Sequence, residues 1–526
     1  MSLKRRLIAV GLVAAAAALT FGIAKSGLQV SEELEEPIFT KERDTLYLWY
    51  TDEALTSYLS GAAVTYNESH DVRIVPVLQS GLEYLENINR ASLEVNAPDM
   101  YILGHDSLEK AYLAGLASPV EPYTQVDLES AYISTGLKAA SYKDQIIGYP
   151  FYFETSSLLY NKTYLDEMAC NQLQEELDWE MAEAVEAELE ENGPPQEATP
   201  SPQPSASSQP GTTPSPSPEA TATPEPTPTP IPFSQEEIDA RVEQLMPRTI
   251  EGIREFADNY DAPQQVEAVF RWDVNDIFYN YFFVGNAINV GGEAGWDESQ
   301  IDIYNLNAIE SMRAYQGLNQ FFSMDTSQCD YEMLLNDFMA GKIVFTVATT
   351  DVVFKLEDAK GDGLLEYDYG IRRLPDINDD IKTRSLSVTN CVVINGYSAY
   401  QEEANDFACF LTAEYNDILY ARSGKVSAAK DVDYGYDAIS EFAVEYERSI
   451  SMPKMLETSN FWVQLEVAFA QIWDGADANE KLMELSEKIM HQVTGEEYHE
   501  EYIEEPEEPE EDEESIEEET EESGTD

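Results

Sequence analysis

From Thr45 onward, short runs rich in β-branched and aromatic residues alternate with longer stretches of helical periodicity. This cadence restricts the fold more tightly than any other feature of the chain. TLYLWY at residues 45–50 and VRIVPVL at 72–78 read as strands, and DMYIL at 99–103 reads as a buried strand. Helical patterns occupy 53–69, 81–95, 107–114 and 128–140. Strands alternating with helices of this length predict an α/β protein whose parallel sheet is covered on both faces. In such sheets ligands sit beyond the carboxyl ends of the strands. The first candidate loops are therefore Thr51-Asp52-Glu53 and Gly104-His105-Asp106. Asp52 and Asp106 also stand where a helix N-cap belongs, so each has a structural reading beside the ligand-binding one.

Charge and proline are concentrated outside this cadence. The chain has 526 residues, with 101 acidic against 31 basic side chains and a formal net charge of −70. That balance excludes nucleic acid as a partner. From 496 to 526 there are 19 acidic residues and no Lys or Arg, so a disordered, solvated tail is expected. Fourteen of the 26 prolines fall between 194 and 232, which reads as an extended linker. An acidic helical pattern over 171–192 precedes it. A second helix, opened by a capping box of Ser234 and Glu237, follows over 234–246. Residues 171–246 are thus expected as an insert between two helices.

At the other end, Lys4-Arg5-Arg6 precedes 18 uncharged residues, 7–24. This reads as an export signal, either cleaved after small residues near position 25 or retained as a membrane anchor. No Cys follows it to carry a lipid. The four Cys form no CxxC pair and the four His no metal-binding spacing, so neither a metal nor another cofactor is expected. Asp474-Gly475-Ala476-Asp477 has its glycine in the wrong place for a calcium loop. Cys391 and Cys409 read as buried thiols, with a Cys170–Cys329 bridge as an open alternative.

Several segments, in order, resemble the family 1 extracellular solute-binding proteins, the maltose-binding-protein-like group. They are Pro98 through Asp106 with Ala114-Gly115-Leu116-Ala117, and the run DQIIGYPFYFETSSLLYNK at 144–162. Arg248-Thr249-Ile250-Glu251, Gly291-Gly292-Glu293 and Phe338-Met339-Ala340-Gly341-Lys342 follow, and the closing part is 452–490 with Phe461-Trp462. The resemblance implies a type II periplasmic-binding-protein-like fold with a hinge and two discontinuous lobes. One lobe would be 45–152 with about 386–435, the other 156–383 with about 440–495. It also implies an exported protein, at the outer face of the cytoplasmic membrane or secreted. Such a protein captures a mono- or oligosaccharide and delivers it to the membrane subunits of an ABC importer, and is not an enzyme.

Sugars present flat apolar faces and hydroxyls, which aromatic rings and carboxylates read together. By resemblance Trp462 is the stacking platform, Glu154 and Asp106 are sugar-binding carboxylates, and Phe278 and Tyr279 form the second-lobe aromatic pair. Each has a plainer reading: Trp462 on the apolar stripe of Phe461, Leu465, Phe469 and Ile472, and Glu154 in a hinge salt bridge. Three departures bear on the ligand. Ser107 replaces the family's Arg after Asp106, Glu53 replaces a Lys, and Asp351 stands where a stacking Trp is expected. A long maltodextrin is therefore disfavoured, and a cleft of net negative charge favours neutral polyols or cationic ligands. Two other classes remain open: a surface-anchored sensor or scaffold on the same fold, and a carbohydrate-active enzyme.

Overall fold

A computed structural model describes residues 43–94, 97–192, 233–322, 324, 326 and 329–504. The export signal, the whole proline-rich linker and the acidic tail beyond 504 lie outside the described residues. The first strands and helices fall where the sequence places them. They are β1 (Thr45–Tyr50), α1 (Thr56–Ser69), β2 (Arg73–Leu78), α2 (Tyr84–Ala91), β3 (Met100–Gly104) and α3 (Leu108–Leu113). The helix expected over 128–140 is instead two short ones, Leu128–Ala131 and Ser134–Ala139, separated where Tyr132 bridges to Ala429.

The middle of the chain contributes β4 (Tyr149–Asn161), α4 (Lys162–Asn192), α5 (Gln235–Leu245), α6 (Ile250–Asn259), β5 (Ala268–Phe270), α7 (Ile277–Asn280) and α8 (Leu306–Phe322). Next come α9 (Tyr331–Met339), β6 (Ile343–Thr349), α10 (Val352–Gly361), β7 (Tyr369–Arg372) and β8 (Leu386–Ile394). The chain closes with α11 (Gln401–Cys409), α12 (Leu419–Ser423), β9 (Val426–Ser427), α13 (Asp437–Arg448), β10 (Ile450–Ser451), α14 (Phe461–Trp473) and α15 (Ala478–Thr494).

The strands form one ten-stranded sheet in the order β2-β1-β3-β8-β4-β6-β5, with β7 and β9 on β4 and β10 on β8. β1 pairs in parallel with β2 and β3, as the alternating pattern requires. β8 runs antiparallel to both β3 and β4, so the sheet is mixed and not purely parallel. β4 is the pivot of the architecture. Twelve of its 13 residues are buried, so it shows no alternation, as expected for a strand covered on both faces. Its first half, Tyr149–Thr155, pairs with β8, and its second half, 156–161, pairs with β6 and β7. The register against β8 shifts between Tyr152 and Pro150, with Phe151 as the extra residue, next to a proline that has no N–H to give the ladder.

The two halves of β4 contribute to different cores and also share a third, in which Phe153 and Leu159 pack with Phe338, Val352, Val426 and Tyr446. Phe151 and Tyr152 pack with Tyr58, Leu59, Met100 and Phe407. Leu158 and Tyr160 pack in a second core with Trp272, Phe345, Phe461 and Leu482. The chain crosses between them again through β8 and through the segment after β10, where Lys454 reaches back to the carbonyls of Ala139 and Ser141.

Two boundaries move. The helix expected from 171 begins at Lys162, directly after Asn161, whose side-chain oxygen accepts from the Tyr164 N–H at 3.2 Å. α5 is opened by the expected capping box of Ser234 and Glu237. The tail expected to be disordered from 496 instead folds back as far as Glu504. Glu500 accepts from Ser486 Oγ at 2.5 Å, the Ile503 N–H donates to Tyr304, and Ile503 packs on the second core. One apolar residue with satisfied neighbours outweighs the local charge there. Cys170 and Cys329 form no disulfide bridge with one another.

Candidate functional site

Where β4 passes from one core to the other, a cavity of about 380 Å³ opens beside Glu154. Its lining comes from distant parts of the chain: Asp276, Phe278 and Tyr279 of α7, Thr349 and Asp351 at the end of β6, and Lys425 before β9. Glu154 lies opposite Val388 in the β4–β8 pairing, so it sits at the crossing itself.

α7 is a single turn, held by Asp276, whose carboxylate accepts from the Phe278 N–H at 2.8 Å. That cap presents two rings to the cavity. Tyr279 stacks on Tyr331 of α9, with ring centroids 4.9 Å apart and planes 29° from parallel. Burial raises both phenols, so both stay protonated and able to donate. Asp351 is well supported. It accepts from Thr349 Oγ1 at 2.6 Å and pairs with Lys355 at 2.9 Å. Burial works against the charge on Lys355, but its bonds to Glu332 and Asp351 prevail and raise its pKa.

Lys425 joins this wall to the other lobe. Its ammonium lies 3.0 Å from Glu154 and 2.9 Å from Asp52, and 5.3 Å from the centre of the Tyr152 ring. Burial disfavours its charge, yet the two carboxylates more than compensate and hold its pKa above the usual lysine value. Its position is set by Gly424, which ends α12 in the left-handed region at φ 68°, and by β9, which pairs with Phe153 and Tyr152. Asp52 therefore does two things: it caps the turn after β1 through the Ala54 N–H at 2.9 Å, and it holds Lys425.

Asp52 also borders a neighbouring cavity of about 370 Å³, lined by Gly104, Ser107, Tyr152 and Asn390. Asp106 belongs to this side. Its side chain caps no helix and folds over Gly104, where any Cβ would stand 2.5 Å from Oδ1. Asp106 is exposed at the surface, yet the protein packed around its loop raises its carboxyl above the ordinary value. Behind it His105 is fully buried, with its pKa pushed down to about 3 by desolvation and by Lys454. The neutral ring donates Nε2–H to the Met452 carbonyl and accepts the Thr389 N–H at Nδ1.

The structure thus brings Glu154, Phe278, Tyr279 and Asp351 into one cavity and links Asp52 to it through Lys425. Asp106 flanks the neighbouring cavity. Trp462 stands apart from both linings: half-buried at the start of α14, it packs against Tyr281 at 5.3 Å, while Phe461, Leu465, Phe469 and Ile472 of the same helix are buried. The cleft expected to be simply acidic carries two lysines, Lys425 and Lys355, each between two carboxylates. Neither they nor Tyr331 were marked by any local pattern. Among the described residues no group of His, Cys, Asp and Glu is arranged to hold a metal ion.

Residues 61–209 match the sequence family described as bacterial extracellular solute-binding protein. A maltotriose-binding protein of Pyrococcus abyssi is 32% identical over 84 residues, which is 16% of this chain and 18% of that protein's length. Among solved structures, an extracellular solute-binding protein from Staphylococcus aureus in complex with maltose superposes with a TM-score of 0.63 at 16% identity, covering 86% of this chain and 98% of the other. The maltose-binding periplasmic protein MalE of Listeria monocytogenes, also in complex with maltose, gives 0.60 at 16% identity, covering 86% and 98%. The chain is thus similar in sequence, over 61–209, to the bacterial extracellular solute-binding proteins, and its two-lobed α/β architecture is that of the periplasmic-binding-protein-like fold.

Proposed function

We propose that this protein is an exported solute-binding protein that closes its two lobes on a short carbohydrate and delivers it to an ABC importer. The observation that carries this reading is the cavity at the β4 crossing, where the Tyr279 ring and Phe278 meet Glu154, Asp276 and Asp351. Rings offer the flat contact that a pyranose face needs, and carboxylates accept hydrogen bonds from its hydroxyls. A cavity of about 380 Å³ suits one or two sugar rings and not a long oligosaccharide. The maltose- and maltotriose-binding relatives support the ligand class.

The lobes are read as 45–152 with about 386–435 and 156–383 with about 440–495; two of the cores along β4 support this reading, and a third, holding Phe153 and Leu159, joins the lobes at the crossing. Closure would bring the Asp52 and Asp106 side against the Tyr279 and Asp351 side, and a ligand favours the closed state by the contacts it makes only there. Trp462 is proposed as an outer platform, reached only by the far end of a longer sugar. The alternative of a surface-held sensor or scaffold draws on α4, which carries the exposed Trp179 and Met181.

The test is a thermal-shift and calorimetric screen of the full chain against mono- and disaccharides, polyols, amino acids and polyamines. A ligand that binds only the folded protein raises its melting temperature. A saturable response to one sugar class, with the sugar recovered unchanged, is expected. Silence across all carbohydrates, with a response to amino acids or polyamines, overturns the carbohydrate assignment.

A further inference from the structure

We infer that Lys425 sets the charge of the ligand: it fills the position in the cleft that a cationic group would otherwise take. This rests on the cavity beside Glu154 being the ligand site. Three attractive contacts converge on the Lys425 ammonium. They are the Asp52 carboxylate at 2.9 Å, the Glu154 carboxylate at 3.0 Å and the Tyr152 ring at 5.3 Å. Two carboxylates and a ring face form the recognition set for an organic ammonium ion. Here the chain supplies that ion itself, from a residue 271 positions away from Glu154 in sequence.

The lysine is not a surface accident. Its side chain is only 18% exposed, against 31% for Asp52 and 40% for Glu154, so the cation is the most enclosed member of the cluster. It cannot swing freely, because Gly424 and the two-residue strand β9 fix its backbone against β4. The charges facing it are Asp52 and Glu154 directly, with Asp351, already paired to Lys355, and Asp276, whose carboxylate accepts the Phe278 N–H, on the other wall of the cavity. Removing the lysine would therefore leave two carboxylates without a counter-ion in a partly desolvated cleft, and an incoming ammonium group would restore the pairing. With the lysine present, the position between Asp52 and Glu154 already holds its cation and has no room for another. Selection falls on uncharged sugars over amino sugars.

The experiment is titration calorimetry of the full chain with glucose and with glucosamine, at mildly acidic pH where the amine is protonated, for the wild type and Lys425→Met. The expected result is a gain of roughly tenfold or more in glucosamine affinity for Lys425→Met over the wild type. Lys425→Arg, which keeps the cation, should show no gain. Lys425→Gln retains a donor for Glu154 and takes the place of the Met variant if that one does not fold. No gain in either neutral variant, or a wild type that already prefers glucosamine, overturns the inference. A gain for glucosamine in the variant, with a wild type that binds no sugar in the wider screen, sustains the role of Lys425 while overturning carbohydrate capture.

Discussion

Glu445 offers a measurable consequence of how the crossing region is packed. It lies on α13 with only 1% of its surface exposed, accepting from Ser385 Oγ at 2.7 Å and facing Arg448 at 3.4 Å. Desolvation dominates over the Ser385 hydrogen bond and the charge of Arg373 and pushes its carboxyl up to about 7 from an ordinary 4.5. A displacement of that size corresponds to about 3 kcal/mol between the two protonation states. The sign follows from linkage. The folded protein holds this proton more tightly than the unfolded chain, so the stabilisation is complete below the ordinary glutamate value and disappears as pH rises through about 7. Glu445→Gln removes the titration while leaving an oxygen to accept from Ser385. Urea-unfolding free energies of the two proteins should therefore diverge by about 3 kcal/mol between about pH 4.5 and pH 8, with the variant gaining relative to the wild type at the alkaline end. Comparing the change across pH cancels any fixed cost of the substitution. Parallel curves would refute the reasoning, showing that Arg448 keeps Glu445 ionised throughout.

Tyr279→Ala should weaken binding of the responding sugar by about 1–3 kcal/mol in calorimetry, because it removes a ring that Tyr331 holds in place; unchanged affinity in a folded variant would exclude the stack from the site. Trp462→Ala should leave monosaccharide affinity within about twofold and weaken a trisaccharide by about 1–4 kcal/mol, since Trp462 lies outside the cavity lining. Gly285→Ala should destabilise the fold by about 1–3 kcal/mol or more, because its Cβ would come within 2.0 Å of the Arg384 carbonyl oxygen. Gly317→Ala, inside α8 with nothing within 4 Å of the new Cβ, should instead stabilise by about 0.5–1 kcal/mol; thermal unfolding reads both.

Where structure follows from neighbours in sequence, the chain could be read directly. The β1–α1–β2 unit, the capping box of α5 and the turn at Gly341 before β6 each declare themselves within a few residues. What the pattern could not show is β8. It reaches the middle of the sheet from more than 200 positions after β4, and its antiparallel pairing with both β3 and β4 turns a parallel sheet into a mixed one. The same limit applied to the site. Glu154, Phe278, Tyr279 and Asp351 were named through resemblance to a family, whereas Lys425 follows a helix-ending glycine, with nothing nearby to mark it. A lone lysine acquires its role only when folding places two distant carboxylates beside it.

That dependence on long-range placement also bears on how the two lobes are joined. Besides β4 and β8, the chain crosses between the cores at 452–456, and this segment is fastened firmly to the first lobe. His105 takes the Met452 carbonyl, Lys454 takes the carbonyls of Ala139 and Ser141, and Glu109 takes the Leu456 N–H. Lys454 is fully buried, with its pKa lowered to about 7 by desolvation, so its attachment is through backbone carbonyls and not through a salt bridge. A few residues later Phe461 enters the second core. With Met455 of the same span also buried in the second core, 452–456 is anchored to both cores at once, and the lobe closure proposed above would have to bend β4, β8 and this span together. Lys425, bonded to Glu154 at the β4 crossing and held on β4 by β9, belongs to the same joint.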